Sequence, residues 1–232
     1  MKRYEGETAC AYDRTRFRSL RGRAVDLLEW RLLVRSLRLL ETLCGRKVGS
    51  LLDAPTGTGR MLRRFATGSR AVIGLDASPD MLRLAKAHGD LARYMLGAVG
   101  AIPLDDGSLD AVVSLRLFGH LTLEEKAAAL REFSRVASMG AVVCYAGDSA
   151  WLRFRRARAG RDAAGTWHPA TDSLMEEMAR DAGLTPVGRL RLLGPLAETR
   201  ALVLRTADSS LRRIPRNGPT HPDGRSPLRE GA

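Results

Sequence analysis

Asp53, Gly57, Gly59 and Asp76 are the residues whose types and spacing could do chemistry together. The first three lie in "LLDAPTGTGRML", Leu51 to Leu62, where an apolar pair runs into an acid, a turn with two glycines and then a helical pattern. Glycine permits dihedrals closed to other residues and lets backbone approach a ligand closely. A helix starting just after such a turn points its N-terminus at the bound group. Three ligands compete for the turn. A nucleotide P-loop needs Lys and then Ser or Thr after its last glycine, and Arg60 and Met61 stand there. A dinucleotide fingerprint needs a third glycine after the pair, and position 62 is Leu. The third is an adenosine site, in which a carboxylate at the end of the second strand accepts hydrogen bonds from ribose hydroxyls. Asp76 closes "AVIGLD" 17 residues after Gly59, where that acid is needed. Its competing role is a turn acid before "SPDM", but Ser78 already serves as the helix cap there, which favours ribose.

The elements that must hold these residues alternate. "VGSLLDA", "RAVIGLDA", "ARYML", "LDAVVSL" and "GAVVCYA" read as strands, and "LTPVGRL" and "TRALVLRT" as two more near the end. Between them, "GRMLRRFAT", "SPDMLRLAKAHG", "LTLEEKAAALREFSRVA" and "TDSLMEEMARDAG" carry helical spacing. Ser78 before Pro79, Thr122 with Glu125 three residues on, and Thr171 or Asp172 supply the N-terminal caps. Alternation of this kind predicts an α/β fold, a mostly parallel sheet with helices on both faces, whose ligand sits beyond the carboxyl ends of the strands. Residues 1 to about 47 read as helical, with Leu28, Leu32, Leu39 and Leu43 near helical spacing, Trp30 and Val34 widening the apolar side, and Gly45 suited to the C-terminus. The expected organisation is a helical cap over 1–47, one domain over 48–206, and a basic tail over 207–232 whose Pro, Gly, Ser and Arg content predicts disorder.

With 232 residues, 44% of them hydrophobic, the chain can build one sizeable core. Its formal net charge is +12, and only Lys2, Lys47, Lys86 and Lys126 among its 38 basic residues are lysines. Arginine-rich surface coding explains such an imbalance, and so does an acidic partner, since charge speaks to association and not to fold. Cys10, Cys44 and Cys144 have neither metal-ligand spacing nor a disulfide framework. "MKRYEGETAC" lacks an apolar signal core, and the most apolar window is broken by Arg31, Arg35 and Arg38, so no transmembrane segment is expected and a cytoplasmic location is.

Taken in order, "LLDAPTGTGR", "VIGLDASPDMLRLA", "IPLDDGSLDAVVSLRLFGHL" and "LREFSRV" resemble the successive motifs of class I S-adenosylmethionine-dependent methyltransferases. The nearest flavour is the small-molecule group (methyltransferase type 11) that includes ubiquinone and menaquinone biosynthesis enzymes. The resemblance covers about Val48 to Thr206 and implies a Rossmann-like, mostly parallel seven-stranded sheet with an N-terminal helical extension. It implies that Asp53 holds the turn and faces the amino-acid end of S-adenosyl-L-methionine. Ala54, Gly57, Thr58 and Gly59 would form the loop around that amino acid and the sugar. Asp76 would take the ribose hydroxyls, with Ala77 and Met81 beside the adenine, Ala98 and Val99 contacting it, and Leu115 lining the methyl side. Three positions depart from the pattern. Pro55 stands where a first glycine is common, and Ala98 where an acid often bonds the adenine amine. "ASMGAV" replaces a Pro-Gly-Gly turn before the fifth strand, which reads as a loop change remote from the site.

Methyl transfer is an in-line displacement at an activated sulfonium methyl, so the protein has to align a lone pair and exclude water. A base helps where the nucleophile carries a proton. His120, in "RLFGHL", is the candidate, against a packing or capping role before the helix near Thr122. Arg116 is a candidate anion clamp in the same loop, against a solvated arginine. Substrate contacts are expected from the N-terminal helices (Tyr12 and Arg16, with Tyr4 and Phe17) and from the stretch after the fifth strand (Trp167, with Trp151, Phe154 and His168). Arg153, Arg155, Arg156, Arg158 and Arg161 would face solvent, an acidic substrate or a membrane surface. No metal site is expected, and oligomeric state is not legible. The expected acceptor is a small molecule, methylated on O, C or N. RNA methylation is the alternative, and a non-catalytic cofactor-binding subunit is another. Nucleic acid is the lesser reading, because "SLRLF" replaces the Asn/Asp-Pro-Pro-aromatic motif of amino-methylating DNA enzymes and no Cys follows a Pro.

Overall fold

Burial along the short apolar runs follows from where they sit. Leu109–Ser114 is buried at all six positions and Asp53 and its neighbours nearly so, as parallel strands covered on both faces must be. The computed structural model describes residues 19–67, 70–87, 92–148, 154, 158, 168–192 and 199–207. Its elements in chain order are α1 (Leu20–Cys44), β1 (Ser50–Asp53), α2 (Arg60–Ala66), β2 (Ala71–Asp76), α3 (Pro79–Lys86), β3 (Arg93–Leu96) and β4 (Leu109–Ser114). A single 3₁₀ turn (Phe118–His120), α4 (Leu123–Val136), β5 (Ala137–Ala146), α5 (Asp172–Asp181), β6 (Leu184–Arg191) and β7 (Thr199–Thr206) complete them.

The seven strands form one sheet in the order β3-β2-β1-β4-β5-β7-β6. Strands β1 to β5 pair in parallel, while β7 runs antiparallel to both β5 and β6. Helices α4 and α5 cover one face through Leu130, Phe133, Met175 and Ala179. Helices α1 and α2 cover the other through Leu33, Leu37, Leu40, Leu62 and Phe65. This is the Rossmann-like α/β fold that the sequence predicts.

Local signals account for the helix ends. Ser78 Oγ accepts from Met81 N–H with Pro79 in the first turn, and Thr122 with Glu125 makes a complete capping box. Thr171, not Asp172, caps α5. Gly45 ends α1 at φ 65°, in the left-handed region.

Two details differ from the sequence reading. The stretch read as a loop before the fifth strand is strand, because α4 runs straight into β5 at Ala137. Gly140 sits at φ 148°, and a Cβ there would lie 1.9 Å from Leu204 O of β7, so only glycine lets the two strands close. In α1 the buried stripe is Leu32, Leu33, Leu37 and Leu40, whereas Leu28 and Leu43 are exposed. The helix is rotated because its inner side also carries Glu29 and Glu41, both buried against arginines of the domain.

Candidate active site

The chain builds β1, β2 and β3 outwards in one direction and then returns to place β4 and β5 on the other side of β1. The order therefore reverses between β1 and β4, and the crevice beyond their carboxyl ends is where such a sheet receives a ligand. The glycine turn fills one side of that crevice. Thr56 N–H donates to Leu75 O at 2.8 Å and Ala54 N–H to Val113 O at 2.9 Å, which pins the turn to both neighbouring strands. The Ala54–Pro55 peptide is cis.

The two glycines of the turn have different reasons. Gly59 has φ 79°, and a Cβ there would lie 3.1 Å from Ala85 Cβ of α3, so it allows two helices to approach. Gly57 has φ 55°, and a Cβ there would meet nothing within 4 Å. It faces open space at the mouth of the crevice.

Two acids flank this turn. Asp53, fully buried, accepts from Thr56 Oγ1 at 3.1 Å. Burial pushes its pKa up to about 7, against the lowering effect of Thr56 and Arg60 and with the charge of Asp76 adding to the rise. Asp76 Oδ2 accepts from Gly57 N–H at 2.8 Å and its Oδ1 from Ser78 N–H at 2.9 Å. Burial raises its pKa, and those backbone bonds oppose the rise. The carboxylate thus holds the glycine turn itself and also braces the turn before α3, the competing role that the sequence reading weighed against ribose. The Ala77 N–H bonds the carboxylate as well, and its remaining lone-pair capacity is left for a ligand hydroxyl. Ala77 follows as an exposed residue, and Met81 is buried in α3.

Across the crevice, Ala98 is exposed and Val99 half-buried, in a turn closed by Ala101 N–H donating to Ala98 O at 3.1 Å. Leu115 is buried against the α1–α2 side of the core. Ser114 Oγ, at the end of β4, is buried without a hydrogen-bond partner among the described residues. Thr58 is buried and Ala54 wholly so.

Arg116 takes φ 61° and places Nη2 2.6 Å from Glu29 Oε1, so it reaches back to α1. Glu29 also meets Arg60 Nη2 at 3.1 Å, and Asp26 pairs with Arg60 and Arg64. The N-terminal half of α1 is thereby fastened both to the helix after the glycine turn and to the loop after β4. His120 is half-buried in the 3₁₀ turn. Tyr12, Arg16 and Trp167 lie outside the described residues, as do Tyr4, Phe17 and Trp151 and the tail beyond Ala207. Within Arg153–Arg161 only positions 154 and 158 are described, with the Arg158 guanidinium 5.8 Å from the Phe154 ring.

Lys126 is a member of this region that the sequence reading missed. It is fully buried on the inner side of α4, and burial lowers its pKa to about 8. Its Nζ donates to Leu121 O at 2.6 Å and to His168 O at 2.7 Å. His168 N–H donates to Gly119 O at 2.8 Å, and Asp148 N–H to Ala170 O at 3.1 Å. The residues that return after β5 are so clasped to the turn bearing His120. The signal was present: position 126 shares the buried phase of Ala129, Leu130 and Phe133, where a lysine is out of place.

Among the described residues there is no cluster of His, Cys, Asp and Glu that could hold a metal ion, and no helix long and apolar enough to cross a membrane. The open space at Gly57, the two carboxylates beside it and the unpartnered Ser114 hydroxyl do fit a polar ligand with hydroxyls, such as an adenosine, at the switch point.

Residues 51–140 match the model of a methyltransferase domain. An uncharacterized methyltransferase of Bacillus cytotoxicus is 26% identical over 117 residues, covering 47% of this chain and 51% of its own, so the chain spans about half the length of the curated relatives it matches. The PH0226 protein of Pyrococcus horikoshii shares the fold with a TM-score of 0.68 at 16% identity, over 87% of this chain and 99% of that one. The magnesium protoporphyrin IX methyltransferase of Synechocystis, solved with bound S-adenosylhomocysteine, gives a TM-score of 0.64 at 15% identity, over 81% and 87%.

Proposed function

We propose, for a chain that carries a class I S-adenosylmethionine-dependent methyltransferase domain, that it transfers the methyl group of S-adenosyl-L-methionine to a small-molecule acceptor. The observation that carries the reading is the turn at the switch point, where Gly57 faces open space and its N–H is held by the Asp76 carboxylate. When bound, S-adenosylmethionine supplies a sulfonium methyl carbon open to in-line attack.

The chain's own residues do the rest. Asp76 keeps the turn closed and offers its remaining lone pairs to ribose hydroxyls. Asp53 and Thr56 stiffen the turn from below, and Ala54, Thr58 and Gly59 complete it. Ala77, Met81, Ala98 and Val99 border the adenine, with Ala98 offering no side-chain acceptor. Leu115 packs beside the methyl side and excludes water. His120 takes a proton where the acceptor carries one. Arg116, through Glu29, positions α1 over the crevice. Tyr12, Arg16 and Trp167 contribute to the substrate wall. Residues 1–47 act as a cap, 48–206 as the domain, and 207–232 as a basic tail, in a protein of the cytoplasm.

Calorimetric titration with S-adenosylhomocysteine tests the cofactor, with 1:1 binding expected. Turnover on pooled phenols, quinols and amines, with RNA in a parallel arm, tests the acceptor. No heat at millimolar ligand would refute the cofactor reading, and methyl transfer to RNA alone would replace the acceptor.

A further inference from the structure

Helix α1 sorts its charges by face. Its three acids turn inwards: Glu29 and Glu41 are buried, and Asp26 is mostly covered by Arg60 and Arg64. Arg23, Arg31, Arg35 and Arg38 are exposed. Steps of three and four residues join Leu20, Arg23, Leu27, Arg31, Arg35 and Arg38 into one outer face. Leu20 is 85% exposed and Leu27 45%, large values for leucine on the longest helix of the described chain. Beside this face runs a groove of about 360 Å³ between α1 and the end of β6, floored by Leu28, Trp30 and Leu192. Arg31, Arg35, Arg38 and Arg191 line it, and among the described residues no carboxylate does.

We propose that the outer face of α1 docks on an anionic phospholipid surface. The helix lies in the membrane plane, with its arginines at the phosphates and its leucines in the acyl boundary. Charge complementarity sets the sign of the partner, since every acid of the helix is spent on the interior. The leucines set its class. Nucleic-acid phosphates would satisfy the arginines but give exposed leucine methyls nothing to pack on. The one aromatic of the groove among the described residues, Trp30, already packs on Phe65 at 5.1 Å and under Arg64, so it is no free platform for a base. A second copy of the chain would set arginine against arginine. A bilayer accepts both residue types, because arginine keeps its head at the phosphates while its stem lies along the acyl region. The proposal stands whether or not the crevice transfers a methyl group.

The test is cosedimentation of the full chain with vesicles of phosphatidylcholine alone and of phosphatidylcholine mixed with phosphatidylglycerol. The mixed vesicles should carry the protein down and the neutral ones should not, and raising the salt should release it. The triple variant R31Q/R35Q/R38Q should partition roughly a hundredfold more weakly, about fivefold per arginine. Leu27→Gln should weaken binding at every salt concentration. Circular dichroism melting of each variant verifies that the fold is kept. Equal binding to both vesicle types, or binding to neither, overturns the proposal. So does mixed-vesicle binding that the triple variant leaves unchanged. Binding of oligouridylate, lost in the triple variant while vesicles stay unbound, assigns the face to nucleic acid and also overturns it.

Discussion

At the end of β1, Asp53 is buried with one hydroxyl bonded to it and its pKa rises to about 7. At the far side of the sheet, Asp172 gathers Tyr145 Oη at 2.6 Å together with Arg200, Arg191 and Arg189. Burial alone would raise its pKa too, but the bonds from Tyr145 and Arg200 bring it down to about 2. The same side chain is left wanting in one place and saturated in the other. A saturated carboxylate is a strut that fixes α5 to β5, β6 and β7. A carboxylate held short of partners keeps capacity for something that is not protein, and strong desolvation in a cleft marks such places.

The largest expected effect concerns pH. Asp53 has a folded pKa above its unfolded value near 3.8, so the native state binds more protons between pH 4 and 7 and its contribution lowers stability as pH rises through that window. Asp76 is shifted the same way. Asp53→Asn should remove up to about 4 kcal/mol of that decline, read as the difference between variant and wild type in urea unfolding at the two ends of the window. Asp172 has the opposite sign: its stabilisation is present above pH 4 and is lost as pH falls towards 2. An Asp53 variant whose profile parallels the wild type would break the contrast.

Next, Asp172→Ala should cost about 2–3 kcal/mol of stability, since it strands Tyr145 and Arg200, yet leave S-adenosylhomocysteine affinity within about twofold. A matching loss of affinity would make the far cluster part of the site. Gly57→Val sharpens the other side. It should weaken ligand binding by roughly a hundredfold or more while costing only about 1–2 kcal/mol of stability for the positive φ, because the space it fills is empty of protein. Unchanged calorimetric affinity would remove the turn from the binding surface. The smallest effect is Asp76→Ala, at least about tenfold weaker binding from the lost charge-assisted hydrogen bonds. Its unfolding curve distinguishes a ligand contact from a mere prop of the glycine turn.

What the sequence could tell depended on the range of the interaction. The strand–turn–helix rhythm from Leu51 to Val136 was legible because caps, glycines and apolar runs act within a few residues, and the resemblance implied a mostly parallel seven-stranded sheet without giving its strand order. The three residues before Gly140 read as loop although β5 begins at Ala137, because the reason for the glycine, the Leu204 carbonyl, lies 64 residues away. The pairing of Glu29 with Arg60 and Arg116 was hidden for the same cause, although an acid on the buried phase of α1 was a clue. Arg116 read as an anion clamp, but a positive φ turns it to a glutamate no local pattern could supply.

The Lys126 clasp has a consequence for how the protein can vary. Gly147 and Ala170 are bridge partners, and His168 is bonded within the β4 turn, so the chain departs and comes back at almost one point. Residues 149–167 are therefore a cassette, whose length and composition can change without moving either anchor. A short glycine linker in their place would still let β5 and α5 meet, and a longer insert would leave the glycine turn untouched. Inheritance can exchange this stretch while the floor of the crevice stays the same.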